Sequence, residues 1–283
     1  MQRSRLRTGL IGGAAALLAA GLVGSAIRKR RTARRVRDLR RSAAPSRERT
    51  FSADDLAGLP EPVREYFANV LRDGQPLVDA VRLEQTGTLR AGDASSPWRP
   101  FTATQYVTAD PPGFLWDAAV DVAPLVSLRV RDSYRDGDGS AGVSLGGVVP
   151  IDGADPSPEL NEGELLRYLA EAVWYPTALL PSEGVEWDAV DDATANATLE
   201  YGGASVTLAF TFDGGEVTEV HAPDRPRRVD GGYEPTPWTG RWMEYETRDG
   251  MRVPTRGEVV WHLPDGDLPA WRGRLTDIRY DPW

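Results

Sequence analysis

Cysteine is absent from all 283 residues. That excludes disulfides, thiolate metal sites, a cysteine nucleophile and a thioether lipid anchor. Histidine occurs only twice, at His221 and His262, which sharply limits histidine-based metal sites and histidine-dependent nucleophilic catalysis. Lysine occurs once, at Lys29, so every other fixed side-chain cation is arginine. No Walker loop, dinucleotide fingerprint, nucleophile elbow, HExxH pair or zinc spacing is present, and no cofactor or metal is expected. Asp136-Gly137-Asp138-Gly139 and Asp265-Gly266-Asp267 lack the closing ligand of a calcium loop and read as turns. With no disulfides, the fold must rest on an apolar core, for which the chain is long enough.

What is present divides by charge. Residues 1–50 carry fourteen basic and two acidic side chains, a net of +12. Residues 51–283 carry nineteen basic and forty acidic side chains, a net of -21. The arginine bias with abundant aspartate fits a GC-rich genome. It equally fits a halophilic, acid-coated protein, in which salt screens the self-repulsion. Between Arg7 and Arg28 lie twenty uncharged residues, 8–27, long enough as a helix to cross a hydrocarbon core of ~30 Å. Nine basic residues follow in 28–41 against three before the span, so the positive-inside rule places the body in the cytoplasm. The alternative is a signal peptide cleaved at Gly24-Ser25-Ala26, with the body outside. Arg28, Lys29, Arg30, Arg31, Arg34 and Arg35 are the expected membrane contacts, and membrane lipid is the expected partner. Nucleic acid is not expected, because the basic run has no interleaved aromatics and the body repels polyanions.

The organisation is a transmembrane anchor over 1–27, a basic juxtamembrane segment and linker over 28–51, and one acidic β-rich domain over 52–283. Ser52 with Asp55 reads as a helix-capping pair. After Pro60, Val63, Tyr66, Phe67, Val70 and Leu71 recur at helical spacing. From residue 78 the period becomes two, and ten to twelve strands follow, punctuated by Asp-Gly turns. One helix interrupts them: Ser157-Pro158-Glu159 starts it, Leu165, Leu166, Leu169, Ala172 and Val173 form its apolar stripe, and Pro176 and Pro181 end it. The predicted fold class is α+β and β-rich: a curved, half-barrel-like antiparallel sheet with an N-terminal helix and a mid-chain helical insert, preceded by one transmembrane helix.

Nine tryptophans are the most informative side chains, suited either to core packing or to a ligand-lined cavity. Trp116, Tyr168, Trp174 and Tyr175 are the candidate lining of an apolar cleft under the mid-chain helix. Arg129 and Arg131 share a strand face and, with Arg167, could hold a phosphate or carboxylate headgroup; otherwise they form a solvent face paired with Asp132 or Asp136. Glu258 and His262, four apart in a strand, share a face and form the one candidate acid–base pair.

The stretches LPEPVREYF with DGQPLV, QY and PPGFLWDA, GELLRYLAEAVWYPTALLPS and DGMRVPTRGEVVW resemble an uncharacterised prokaryotic family, a domain of unknown function, over nearly all of 56–281. More loosely, the element order with Tyr245, Asp249-Gly250 and Val253-Pro254 resembles lipoprotein-localisation-factor-like carriers. That resemblance implies a half-barrel whose concave apolar face holds acyl chains. The sequence therefore points to a membrane-anchored binding module for an apolar or lipid-like ligand. The alternatives are a tethered protein-interaction scaffold without a ligand and, third, a hydrolase using Glu258 and His262. A carrier should hold a connected apolar cavity of several hundred Å³, on the order typical of ligand pockets. A scaffold should instead show a closed core and an exposed apolar patch.

Overall fold

Turn chemistry divides the chain into its strands. The computed structural model describes residue 26 and residues 29–43, 49–124 and 126–281. The expected membrane span over 8–27, apart from Ala26, lies outside these, as do Arg28 and Trp283. Among the described residues no helix is long and apolar enough to cross a membrane.

Helix α1 covers 29–42. Ser52 and Asp55 form a reciprocal capping box around a single turn, and α2 (Glu61–Val70) follows. Six strands come next: β1 (Ala80–Leu89), β2 (Arg99–Thr108), β3 (Gly113–Ala123), β4 (Val126–Arg135), β5 (Asp138–Leu145) and β6 (Val149–Ala154). Helix α3 (Pro158–Glu171) is capped by the Ser157 hydroxyl and runs into short turns through Glu183. Seven more strands complete the chain: β7 (Val185–Ala189), β8 (Thr194–Tyr201), β9 (Ala204–Asp213), β10 (Glu216–Val229), β11 (Gly232–Arg248), β12 (Met251–Leu263) and β13 (Gly266–Tyr280).

The thirteen strands exceed the ten to twelve expected. The run GVSLGGVVP is two strands, because Gly146 and Gly147 both take positive φ and turn the chain between β5 and β6. Strands β10 and β11 also run further than their pattern suggested. Prolines interrupt the alternation there, yet Pro226 faces Pro235 in register and the hairpin extends to Asp230-Gly231.

All strands form one antiparallel sheet in the order β6-β5-β4-β3-β2-β1-β13-β12-β11-β10-β9-β8-β7. It is a curved half-barrel of two meanders, joined where β1 pairs with β13. Helix α3 connects the two outer edges and touches β4 and β5 of one half and β9 and β10 of the other, so it lies across the concave side. The halves also meet at one end, where the turn at Gly137 packs against the turn at Gly202 and Tyr134 donates a hydrogen bond to the Tyr201 carbonyl, 3.4 Å. The concave side buries the core. Val63, Tyr66, Phe67 and Val70 of α2 and Leu165, Leu166 and Leu169 of α3, the stripes read from the sequence, are all buried.

The convex side carries α1. Leu39 is buried, and the Thr32 hydroxyl donates to Asp117 (2.8 Å) while accepting from Arg131 (2.7 Å). Residues 29–42 of the basic segment are therefore a helix docked on the sheet.

Candidate functional site

Glycines open the concave face at the joint of the two halves. Gly87 of β1, Gly273 of β13 and Gly257 of β12 stand directly opposite one another, one per strand. Directly paired residues share a face. A side chain at Gly257 would meet the Trp242 ring at 2.7 Å, and one at Gly273 would overlap the Trp271 ring. The missing side chains let both indoles lie flat on the sheet. Trp174, from the turn after α3, packs edge-on to Trp242 with centroids 4.9 Å apart and donates its indole N–H to the Pro254 carbonyl, 3.0 Å.

These rings enclose a cavity of about 140 Å³ between α3 and β10–β13, lined by Trp174, Trp238, Trp242 and Trp271, with Val259 and Ala170. Arg167, Glu171 and Arg225 form its charged wall. The indole nitrogens of Trp238 and Trp242 are buried and find no acceptor within the described chain. A buried donor without a partner costs about 1–3 kcal/mol.

The charged wall is a connected network. Arg167 donates to Asp132 of β4 (2.9 Å) and to Glu171 one turn on (2.8 Å), and its guanidinium lies over the rings of Phe114 and Trp116. Gln105 donates to Glu171, 2.6 Å, and Trp116 donates to Gln85, 2.8 Å. Burial opposes the Arg167 charge, but Glu171 and Asp132 outweigh it and hold its pKa above the usual range. Burial raises Asp132 in spite of Arg167. Glu164, on the preceding turn of α3, is pushed up to about 8 by burial and then by the charge of Asp132. Burial lowers Arg225 to about 10, against the pull of Glu164. Arg225 stacks over Trp238 and Trp261 and donates to the Gly163 carbonyl, 3.0 Å, tying β10 to α3.

The sequence-predicted cleft residues are thus divided. Arg167 and Trp174 line the cavity, and Trp116 stands beside it on the concave face. Tyr168 and Tyr175 are wholly buried and satisfied, donating to the carbonyls of Ala109 (3.2 Å) and Tyr168 (3.0 Å) respectively. Arg129 and Arg131 do share a face, but it is the convex one, opposite Trp116. Their partner is Asp117 rather than Asp132 or Asp136. Asp117 is nearly fully buried; burial alone would raise its pKa, but the hydrogen bond and charge of Arg129, with Arg131, hold it below the usual carboxylate range. Sequence reasoning missed Trp238, Trp242, Trp271 and Arg225. Their signal was present: Trp238 and Trp242 sit four apart in a strand, and strand glycines mark a close approach.

The Glu258–His262 pair does not form. Glu258 accepts from Arg272, 2.9 Å. His262 Nδ1 lies 2.7 Å from Asp267 and His262 Nε2 2.8 Å from the buried Thr239 hydroxyl, which also meets His221 Nδ1 at 3.1 Å. The hairpin register places Asp267 directly opposite His262, closer than a residue four positions along the same strand. Among the described residues no group of three His, Asp or Glu side chains is disposed to hold a metal ion.

A model of a family of unknown function matches residues 49–273. The chain belongs to the DUF6544 family. The resemblance to an uncharacterised family, read from the stretches between LPEPVREYF and DGMRVPTRGEVVW, is borne out. No curated protein matches this DUF6544 chain. Among solved structures it is similar to a LolA superfamily protein from Nitrosomonas europaea, at 10% identity and a TM-score of 0.33, covering 78% of this chain and 93% of that one. It is also similar to a beta-barrel-like DUF1849 protein from Brucella abortus, at 14% identity and a TM-score of 0.20, covering 74% and 99%.

Proposed function

We propose that this DUF6544 domain binds an apolar, lipid-like ligand on its concave face while tethered to a membrane by residues 8–27, with the domain in the cytoplasm. The indole-lined cavity under α3 carries this reading. Its 140 Å³ is smaller than the several hundred expected. A volume on the order of 150 Å³ is that of a benzene-sized guest, so the cavity receives one end of the ligand against its indole side.

A row of apolar residues joins this site to the edge of the sheet. Val149, Leu145, Leu128, Val120 and Phe101 are paired in one row across β6, β5, β4, β3 and β2. The row continues from Phe101 through the three glycines to Trp242. At ~4.8 Å per strand it runs roughly 38 Å along the sheet. Its outer end is open, with Leu145 45% and Val149 56% exposed, and its middle is covered by Trp271 stacked on Phe101 and Trp116 edge-on to it.

Titration of the full chain with a nitroxide-labelled stearic acid tests the reading. Quenching of tryptophan emission that Val259→Phe abolishes supports it. No quenching, together with no lipid on the protein purified from its membrane, overturns it. Maleimide labelling of Ser46→Cys from outside intact cells would overturn the inward orientation.

A second reading is favoured by edge strand β6, where Val149 and Ile151 are exposed beside Leu145. Such an edge can pair with a strand of another protein, as an interaction scaffold would require. Ile151→Lys separates the two: it abolishes a protein contact at this edge and leaves stearate quenching intact.

A further inference from the structure

Helix α1 meets the convex face at Thr32 and Leu39 but does not close onto it along its whole length. Between it and the convex face lies an open cavity of about 610 Å³, lined by Lys29, Arg30 and Arg37 of α1 and by Arg129, Tyr106 and Asp117 of the sheet, among others. Four cations therefore face one carboxylate. That carboxylate is already committed, since Asp117 accepts from Arg129, Arg131 and Thr32 together. The positive surplus stands on a body whose net charge is -21. Such a concentration of cations around a concavity attracts an anion, and arginine presents paired donors to phosphate oxygens.

We propose that this cavity is a binding site for a phosphate-bearing anion, held between the juxtamembrane helix and the convex face of the sheet. Its place along the chain suits a phospholipid headgroup. Lys29 follows Ile27 by two residues, a reach of at most about 7 Å. The polar layer of a bilayer is itself only about 5–7 Å deep on each side. A headgroup bound here would fix the orientation of the half-barrel over the membrane, because α1 is also locked to Asp117 and Arg131 through Thr32. The lipid source rests on the proposed tether; the phosphate chemistry and the indole cavity on the opposite face do not depend on each other.

Two triple variants of the full chain carry the test, each removing three positive charges. Lys29→Gln/Arg30→Gln/Arg37→Gln strips the cavity. Arg31→Gln/Arg34→Gln/Arg40→Gln strips the same helix outside it. Each is placed in nanodiscs of equal phosphatidylcholine and phosphatidylglycerol, and the phosphatidylglycerol retained is counted by native mass spectrometry. In parallel, inorganic phosphate is titrated against each protein in neutral detergent. The expected result is retention of phosphatidylglycerol that drops at least tenfold in the cavity triple and is kept in the other. Binding of inorganic phosphate with the same variant dependence but no retained lipid supports the site and assigns a soluble phosphate as its source. An equal loss in both triples would show diffuse attraction only and overturn the proposal, as would no binding in either arm. Equal thermal unfolding of the three proteins establishes that the fold is intact.

Discussion

Gly257 stands directly opposite Gly273, and the rings of Trp242 and Trp271 occupy the space where their side chains would be. Two of the indoles that line the cavity are thus laid directly over backbone.

Gly257→Ala should cost about 1–3 kcal/mol, the usual cost of overpacking, and should shift tryptophan emission as Trp242 is displaced. Gly87→Ala should cost more, because the new methyl overlaps the Arg272 carbonyl, part of the backbone joint between the two halves. Urea unfolding of the two variants checks the order; equal losses would contradict it.

Glu164 gives the protein a pH dependence. Folded, it titrates near about 8, against an ordinary 4.5. Between these values the folded protein holds a proton that the unfolded chain has released, so stability falls as pH rises from 4.5 through 8. Glu164→Gln should flatten this part of the profile and raise stability at pH 8. Urea midpoints measured from pH 5 to 8 decide it, and an unchanged slope in the variant would refute the assignment.

Arg167 ties α3 to β3 and β4 of the first half, and its side chain is only 16% exposed. Arg167→Met leaves Asp132 and Glu171 without their shared cation, and the loss should be about 3–5 kcal/mol, as for other broken buried pairs. Chemical denaturation measures it; a loss below 1 kcal/mol would mean that water replaces the guanidinium.

Thr32→Val removes the hydroxyl that bridges Asp117 and Arg131. Hydrogen exchange across 29–42 should accelerate while the sheet stays protected, with an opening free energy lowered by about 1–3 kcal/mol. Unchanged exchange in the helix would mean that Leu39 alone holds it.

The histidine contacts predict a spectroscopic contrast. Asp267→Asn should move the His262 ring resonances, and Glu258→Gln should leave them in place, because Asp267 and not Glu258 meets Nδ1. Nitrogen-15 spectra of the imidazoles distinguish the two.

Local chemistry was legible wherever it is read within one segment. The capping pair Ser52 and Asp55, the stripe Val63, Tyr66, Phe67 and Val70, the Ser157-Pro158 start and the Asp-Gly hairpins all stand where the residues indicated. The β10–β11 hairpin was hidden because its register is held by pairing across the strands, which prolines at 226 and 235 do not advertise.

The sequence by itself determined a β-rich chain with two amphipathic helices in their places, because periodicity and turn residues act over a few positions. It also determined that Arg129 and Arg131 share a face, since strand alternation has a period of two. Only the tertiary structure decided which face that was, and with it that these arginines serve helix α1 instead of the cavity. The cavity is tertiary in the same sense: Trp174, Trp238, Trp242, Trp271 and Arg225 are distant along the chain, and strand order and register alone bring them together over three glycines.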